Sequence, residues 1–365
     1  MYKLNDNLLN SYINNLSLET TLSETRSDYY NAIEEIVDLY HDFNGVKAIY
    51  EYGSRKSVRY SDIDLIVVLE EDGVNDFSSI ESLGKSKKLE KLLGGGNIMF
   101  FPEKLFVLIK WIDEIKLTRI YGHSYDVDIV NDDFNMYLYC ARVIDWLPER
   151  LLLFVRIINN KLGLHFIIGL LFSILYTFRI LNKMGIVSDI FIYEYSKKIS
   201  KIRSYPEKYK NNDEFRKDIL LLTESAVDNG YRFLLLLENY MINNNIVSGT
   251  GLEIPRNAKI NLTEDIGYIR TSGYTFSSNI KPTGKGLYLQ CPDIVFCQWQ
   301  KYADYDGCLS KKINSSISFT NKALKIKSNK YEFILKKRIE IINLQYDFLT
   351  KHNIQSGLFR MGWFL

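Results

Sequence analysis

The sequence predicts an α/β fold: a mixed sheet with helices comes first, followed by a mostly helical domain and a mixed C-terminal region. Three observations lead there. Short runs rich in β-branched and aromatic residues fall between Val46 and Val130. Long Leu/Ile/Phe-rich segments with helical spacing follow from Leu147 to about Asn244. Glycines and short alternating runs return over 248–308. The corresponding division is 1–146, 147–247 and 248–365, which suits a chain of 365 residues at roughly 100–200 residues per domain.

Composition narrows the class further. With 46% hydrophobic and 25% charged residues, the chain is of the folded, globular kind, and a disordered, collagen-like or disulfide-stapled protein is excluded. Cys140, Cys291, Cys297 and Cys308 include no C-x-x-C pair, so no zinc ribbon or redox motif is expected. The start, Met-Tyr-Lys-Leu-Asn-Asp, lacks a cationic stretch leading into an apolar run, so the expectation is a cytoplasmic protein. The segment Leu162 to Phe178 carries no Asp, Glu, Lys or Arg. It is shorter than the roughly 18–20 apolar residues a spanning helix needs and contains His165 and two glycines, so it reads as a buried helix rather than a membrane anchor.

The elements can be justified in order. Residues 7–43 are expected to be helical, with Tyr30, Ile33, Ile36, Val37 and Tyr40 at helical spacing, stopped by Asn44-Gly45. VKAIYEYGS, Val46 to Ser54, reads as a strand ending in a turn, and DIDLIVVLEE, Asp62 to Glu71, as a second strand. A polar, helical connection through Leu93 closes on Gly94-Gly95-Gly96. NIMFF, KLFVLIKWI, IKLTRIYG and SYDVDIV are then four runs expected to extend the same sheet, with Gly122-His123 as a hairpin turn between the last two. The helical stretch that follows is broken by a polar, Lys-rich segment around Ser204 to Asp213, and a final helix is expected from Tyr331 to Lys351.

Chemistry concentrates in Tyr52-Gly53-Ser54, a seven-residue spacer, and Asp62-Ile63-Asp64. Carboxylates at i and i+2 of a strand point to one face, because successive side chains alternate. Like charges side by side are costly unless a cation lies between them, so the pair reads as a hard-metal site of the kind that holds Mg²⁺ together with substrate phosphates. Gly53-Ser54, in a turn leaving a strand, lets backbone and hydroxyl approach a phosphate. A third carboxylate is expected on a neighbouring strand, and Tyr125 to Val130 offers Asp126 and Asp128.

These residues resemble the polymerase-β-like nucleotidyltransferases, whose signature is a hydrophobic residue, Gly-Ser, a spacer, Asp-x-Asp between apolar residues, and a third Asp on a later strand. The matching residues are Gly53, Ser54, Asp62, Asp64 and Asp128, with Asp126 as the alternative third ligand. The resemblance covers about the first 150 residues. The spacer is short and lacks the second glycine common in the family, and the interval to Asp128 is long.

The resemblance implies two-metal transfer of a nucleoside monophosphate from an NTP such as ATP to an acceptor hydroxyl, with pyrophosphate leaving. Asp62 and Asp64 would hold two Mg²⁺ or Mn²⁺ ions, and Asp128 would bind the catalytic ion and help deprotonate the acceptor. Gly53 and Ser54 would hold the β- and γ-phosphates, with Arg55, Lys56 and Arg59 placed to neutralise them.

The acceptor stays open between a small molecule, slightly favoured, and an RNA or oligonucleotide. Second-messenger synthesis and non-catalytic nucleotide binding are the other readings. From Lys311 to Arg360 there are eleven basic and three acidic residues, a balance of +8, leaving −6 for the rest of the chain. A basic end of this kind suits a phosphate backbone or a solvated helix face.

Overall fold

The computed structural model describes residues 26–53, 62–71, 77, 80–82, 84–93, 98–159, 164–204, 213–249, 259–260, 266–270, 280–283, 286–316 and 324–359. Of the helix expected over 7–43, α1 (Arg26–His41) is present and residues 7–25 lie outside the described residues; the two expected strands are present as β1 (Val46–Tyr52) and β2 (Leu65–Leu69), the second beginning only after Asp62 and Asp64. A short α2 (Lys87–Leu92) precedes β3 (Ile98–Pro102), and β4 (Leu117–Gly122) completes a mixed sheet in the order β3-β2-β1-β4. β1 is antiparallel to β2 and β4, while β2 is parallel to β3.

All five residues of β2 are buried, as a strand covered on both faces should be. Ile49, Leu65 and Val67 point to one face and pack with Ile33, Ile36 and Tyr40 of α1 and with Phe348 and Leu349. Ala48, Tyr50, Ile66 and Val68 point to the other face and join the main core.

That second face is covered by α3 (Glu103–Phe106), a 3-10 turn (Ile109–Trp111) and α4 (Asp132–Asn159). The run KLFVLIKWI is therefore not a strand. Its buried residues Leu105, Phe106, Ile109 and Ile112 recur at helical spacing, and Pro102 at φ −66° opens the helix.

SYDVDIV is not a strand either. Gly122-His123 makes no hairpin: the His123 N–H donates to Lys47 O (2.9 Å), and the chain then leaves the sheet. The Tyr50 hydroxyl donates to His123 O (3.1 Å) and accepts from the Tyr125 N–H (3.0 Å), so a side chain does part of the work a partner strand would have done. Gly122 itself has φ +76°, and a Cβ there would lie 2.0 Å from Lys47 O. Gly122→Ala should therefore cost about 1–3 kcal/mol or more, read as a lower midpoint in urea unfolding.

α4 is followed by α5 (Leu164–Lys183), α6 (Asp189–Ser204) and α7 (Asp213–Asn243), which form the expected helical layer. Ile167, Ile168, Leu171, Ile174, Leu175, Phe178 and Leu181 give α5 a continuous buried stripe. Among the described residues no helix is long and apolar enough to cross a membrane.

The C-terminal region contains β5 (Val247–Gly249) and a second four-stranded sheet of β6 (Lys259–Ile260), β7 (Ile266–Arg270), β8 (Ile280–Thr283) and β9 (Gly286–Cys291). It continues with α8 (Asp293–Ala303), α9 (Cys308–Ser316), β10 (Leu324–Ile326) and α10 (Asn329–Lys351).

The boundary at 146/147 falls inside α4, and that at 247/248 inside β5, which pairs with β10. One buried cluster holds residues of all three segments, among them Ala48, Leu171 and Ile339. The chain end returns to the first sheet, where Gln345 Nε2 donates to Phe100 O (2.8 Å).

The basic end is also less free than its sequence suggests. Arg338 is fully buried against Asp145, and Lys330 lies 3.3 Å from Asp133.

Candidate functional site

β1 and β2 run in opposite directions, so the end of β1 and the approach to β2 meet at one edge of the sheet. The Tyr52 N–H donates to Asp64 O (2.9 Å), which extends the ladder one step beyond Glu51 and Leu65. Gly53 therefore sits beside the Asp-x-Asp segment, as expected. Its φ of +104° favours glycine, while the nearest atom to a Cβ would be Ile115 Cγ2 at 4.0 Å, so conformation rather than crowding selects the residue. The Gly53 N–H donates to Lys116 O (2.9 Å) and is thus committed to the fold rather than aimed at a phosphate. Ser54, Arg55, Lys56 and Arg59 lie outside the described residues.

Residues 62–64 lead into β2: Ile63 is buried in the cluster below the sheet, while the Asp64 carboxyl feels both Asp62 and Arg150 of α4. Asp62 is exposed and Asp64 half-buried. Burial first, and the neighbouring Asp62 charge second, push the Asp64 carboxyl up to about 8, while the Arg150 guanidinium opposes the rise. Two neighbouring carboxylates, one of them resisting ionisation through burial first and its neighbour's charge second, form a donor set that a hard divalent cation relieves, so these residues fit Mg²⁺ shared with substrate oxygens.

Asp126 and Asp128 do not join them. Leu117 of β4 is opposite Tyr52 and Gly122 opposite Ala48, so the chain after β4 leaves the sheet where β1 begins. Tyr52 and Ala48 are roughly 13 Å apart along the strand, and the residues beyond Gly122 start from the distant end. There the Asp128 N–H donates to Val107 O (2.8 Å), and Asp126 and Asp128 are both exposed. The structure therefore does not bring the expected third carboxylate, Asp128 or its alternative Asp126, to the pair. Among the described residues no group of three His, Cys, Asp or Glu side chains is close enough to hold a metal ion.

Other residues gather at the Asp62/Asp64 edge instead. Arg150 on α4 is fixed by Ser173 Oγ (2.5 Å from Nε), by Glu149 (2.7 Å from Nη1) and by the Trp146 ring, whose centroid lies 4.6 Å from its guanidinium carbon. Asp113, 3% exposed, accepts from the Tyr52 hydroxyl, from Arg142 of α4 and from the Tyr176 hydroxyl (3.1 Å) of α5. Sequence reasoning missed these residues. The available signal was charge on a buried face: Arg142 and Asp145 interrupt the otherwise apolar CARVIDWL, whereas Asp113 sits among Lys110, Glu114 and Lys116 in KWIDEIK, where nothing local marks it as buried.

Compared with protein-family models, curated proteins and solved structures, the chain has no match in any of the three.

Proposed function

We propose that the protein is an Mg²⁺-dependent nucleotidyltransferase with a polymerase-β-like sheet, transferring a nucleoside monophosphate from an NTP to an acceptor hydroxyl, a small molecule in the favoured reading. The observation that carries it is the Gly53 turn beside the neighbouring Asp62 and Asp64 carboxylates, where β1 ends and the chain enters β2. Asp62 and Asp64 would hold the metal, as one or two carboxylates commonly do for Mg²⁺ bound with substrate phosphates. Bound there, Mg²⁺ would supply positive charge to the attacking and leaving oxygens of an in-line displacement.

Arg150 is held in place by three contacts at the same edge, a preorganised cation for the charge on the departing phosphates. Loss of a charge-assisted contact costs about 1.5–3 kcal/mol, so Arg150→Ala should raise KM for the NTP about tenfold or more, and Arg150→Lys should recover part of it. Steady-state kinetics over NTP concentration checks this.

The overall reading is tested by incubating the protein with each α-labelled NTP and Mg²⁺, with and without extracted small molecules or RNA. Label transferred to neither class of acceptor overturns the transferase reading. Label on RNA alone overturns the choice of a small-molecule acceptor.

A further inference from the structure

We infer that Tyr52 is a positioning residue, which locks the Gly53 turn and the Asp62/Asp64 edge to the helical layer through a buried Asp113–Arg142–Tyr176 clamp. The inference rests on the transferase reading for its consequence, though its geometry stands on the contacts alone.

Tyr52 is the last residue of β1, and its two ends are tied to different parts of the fold. Its backbone N–H fixes Asp64 O at 2.9 Å, and the next amide, Gly53, is fixed to Lys116 O at 2.9 Å. Its hydroxyl donates to one oxygen of Asp113. The other oxygen of Asp113 accepts from Arg142 and from Tyr176, 3.1 Å away. A single buried carboxylate thus gathers a catalytic-edge strand, the segment leading into β4, and two helices.

Burial holds the Tyr52 phenol well above its ordinary range, which keeps it a donor at neutral pH. The Tyr52 ring also meets Phe359 edge-on at 5.7 Å, so the aromatic body is packed independently of the hydroxyl. Buried ion pairs add little net stability over apolar packing, and their best use is to select one geometry.

The geometry selected here matters to the site. Arg150 follows Arg142 by eight residues on α4, about 12 Å further along the axis. Anchoring Arg142 to the strand that precedes Gly53 therefore sets where Arg150 stands relative to Asp62 and Asp64. Without the Tyr52 hydroxyl, Asp113 keeps Arg142 and Tyr176, so the clamp survives but loses its hold on the strand.

The test is Tyr52→Phe in the full chain, with Tyr50→Phe as the control because the Tyr50 hydroxyl serves the opposite end of the sheet. Misplacement of reacting groups by about 1 Å can cost up to a hundredfold, so kcat should fall at least about tenfold while KM for the NTP stays within about twofold. The melting temperature should remain close to wild type. Amide exchange over 50–54 and 62–66 should speed up in Tyr52→Phe and not in Tyr50→Phe.

A Tyr52→Phe enzyme with wild-type kcat overturns the inference. If the wild-type protein transfers no label, the transferase reading falls by itself and exchange decides: unchanged protection at 50–54 and 62–66 then overturns the positioning role, and faster exchange upholds it.

Discussion

Replacing Asp62 and Asp64 together by asparagine is expected to lower nucleotidyl transfer by on the order of a thousandfold or more, with the fold kept. The magnitude follows from what the metal does: charge stabilisation at the reacting phosphate contributes several kcal/mol, and each 1.36 kcal/mol is tenfold in rate. The asparagines keep size and hydrogen-bonding capacity at the strand edge and remove the charges that hold a cation.

Stability should move the other way. The Asp64 carboxyl is pushed up to about 8, by burial first and by Asp62 second, so in the metal-free protein at neutral pH it is held mainly protonated, at a cost in folding stability. The double variant should therefore melt at or above the wild-type temperature when both are measured with a chelator present. With Mg²⁺ added, only the wild type should gain stability, because a ligand that binds the folded state alone stabilises it. Label transfer that persists in the double variant, measured with the α-labelled NTP assay, would remove Asp62 and Asp64 from the chemistry.

The contrast between Asp64 and Asp128 shows what could be read from the residues alone. DIDLIVV alternates at its start and runs on in β-branched residues, and every position of Leu65–Leu69 proves buried, so local pattern and tertiary placement agree. YDVDIV alternates just as well. Two of its amides nevertheless go elsewhere, that of Tyr125 to the Tyr50 hydroxyl and that of Asp128 to Val107 O, and Ile129 is 94% exposed. Alternation reports which side chains share a face if a strand forms, and it cannot say whether an edge is available for pairing.

KLFVLIKWI forms helical turns instead of the expected strand for a related reason. A short apolar run fits a buried strand and a buried helical turn equally, and the proline before it settled the matter. The clamp around Asp113 was illegible because Tyr52, Asp113, Arg142 and Tyr176 come from four separate elements, and nothing local to any of them names its partners.

Arg338 belongs to the basic end that the sequence offers to a phosphate backbone or a solvated helix face, yet its replacement should cause the largest loss of stability. The side chain is fully buried and donates to Trp111 O (3.0 Å), Ile112 O (2.6 Å) and Asp145, and its Nε lies 3.4 Å from the Tyr302 hydroxyl. Asp145 also accepts from Gln298 (2.5 Å) and Tyr302 (3.2 Å), so the network joins α4, α8 and α10 to the segment before β4.

Removing one member of a buried ion pair typically costs about 3–5 kcal/mol, because the other is left charged and buried. Arg338→Met should reach that range in urea unfolding, and Arg338→Met with Asp145→Leu should cost less than the two single changes added together.

The loss should also depend on pH in a defined direction. Burial raises the Asp145 carboxyl and Arg338 opposes that rise, so taking Arg338 away raises it further. A folded-state carboxyl raised above its unfolded value keeps its stability below the ordinary carboxylate range and loses it as pH climbs through the raised value. Arg338→Met should therefore be least destabilising near pH 4 and increasingly so toward neutrality, whereas the double variant, which has no buried charge at either position, should show no such trend. A single variant within about 1 kcal/mol of wild type at neutral pH would mean that the charges are screened, as surface pairs are. The C-terminal helix would then be held by its apolar stripe of Ile334, Leu335, Ile339 and Ile342 alone.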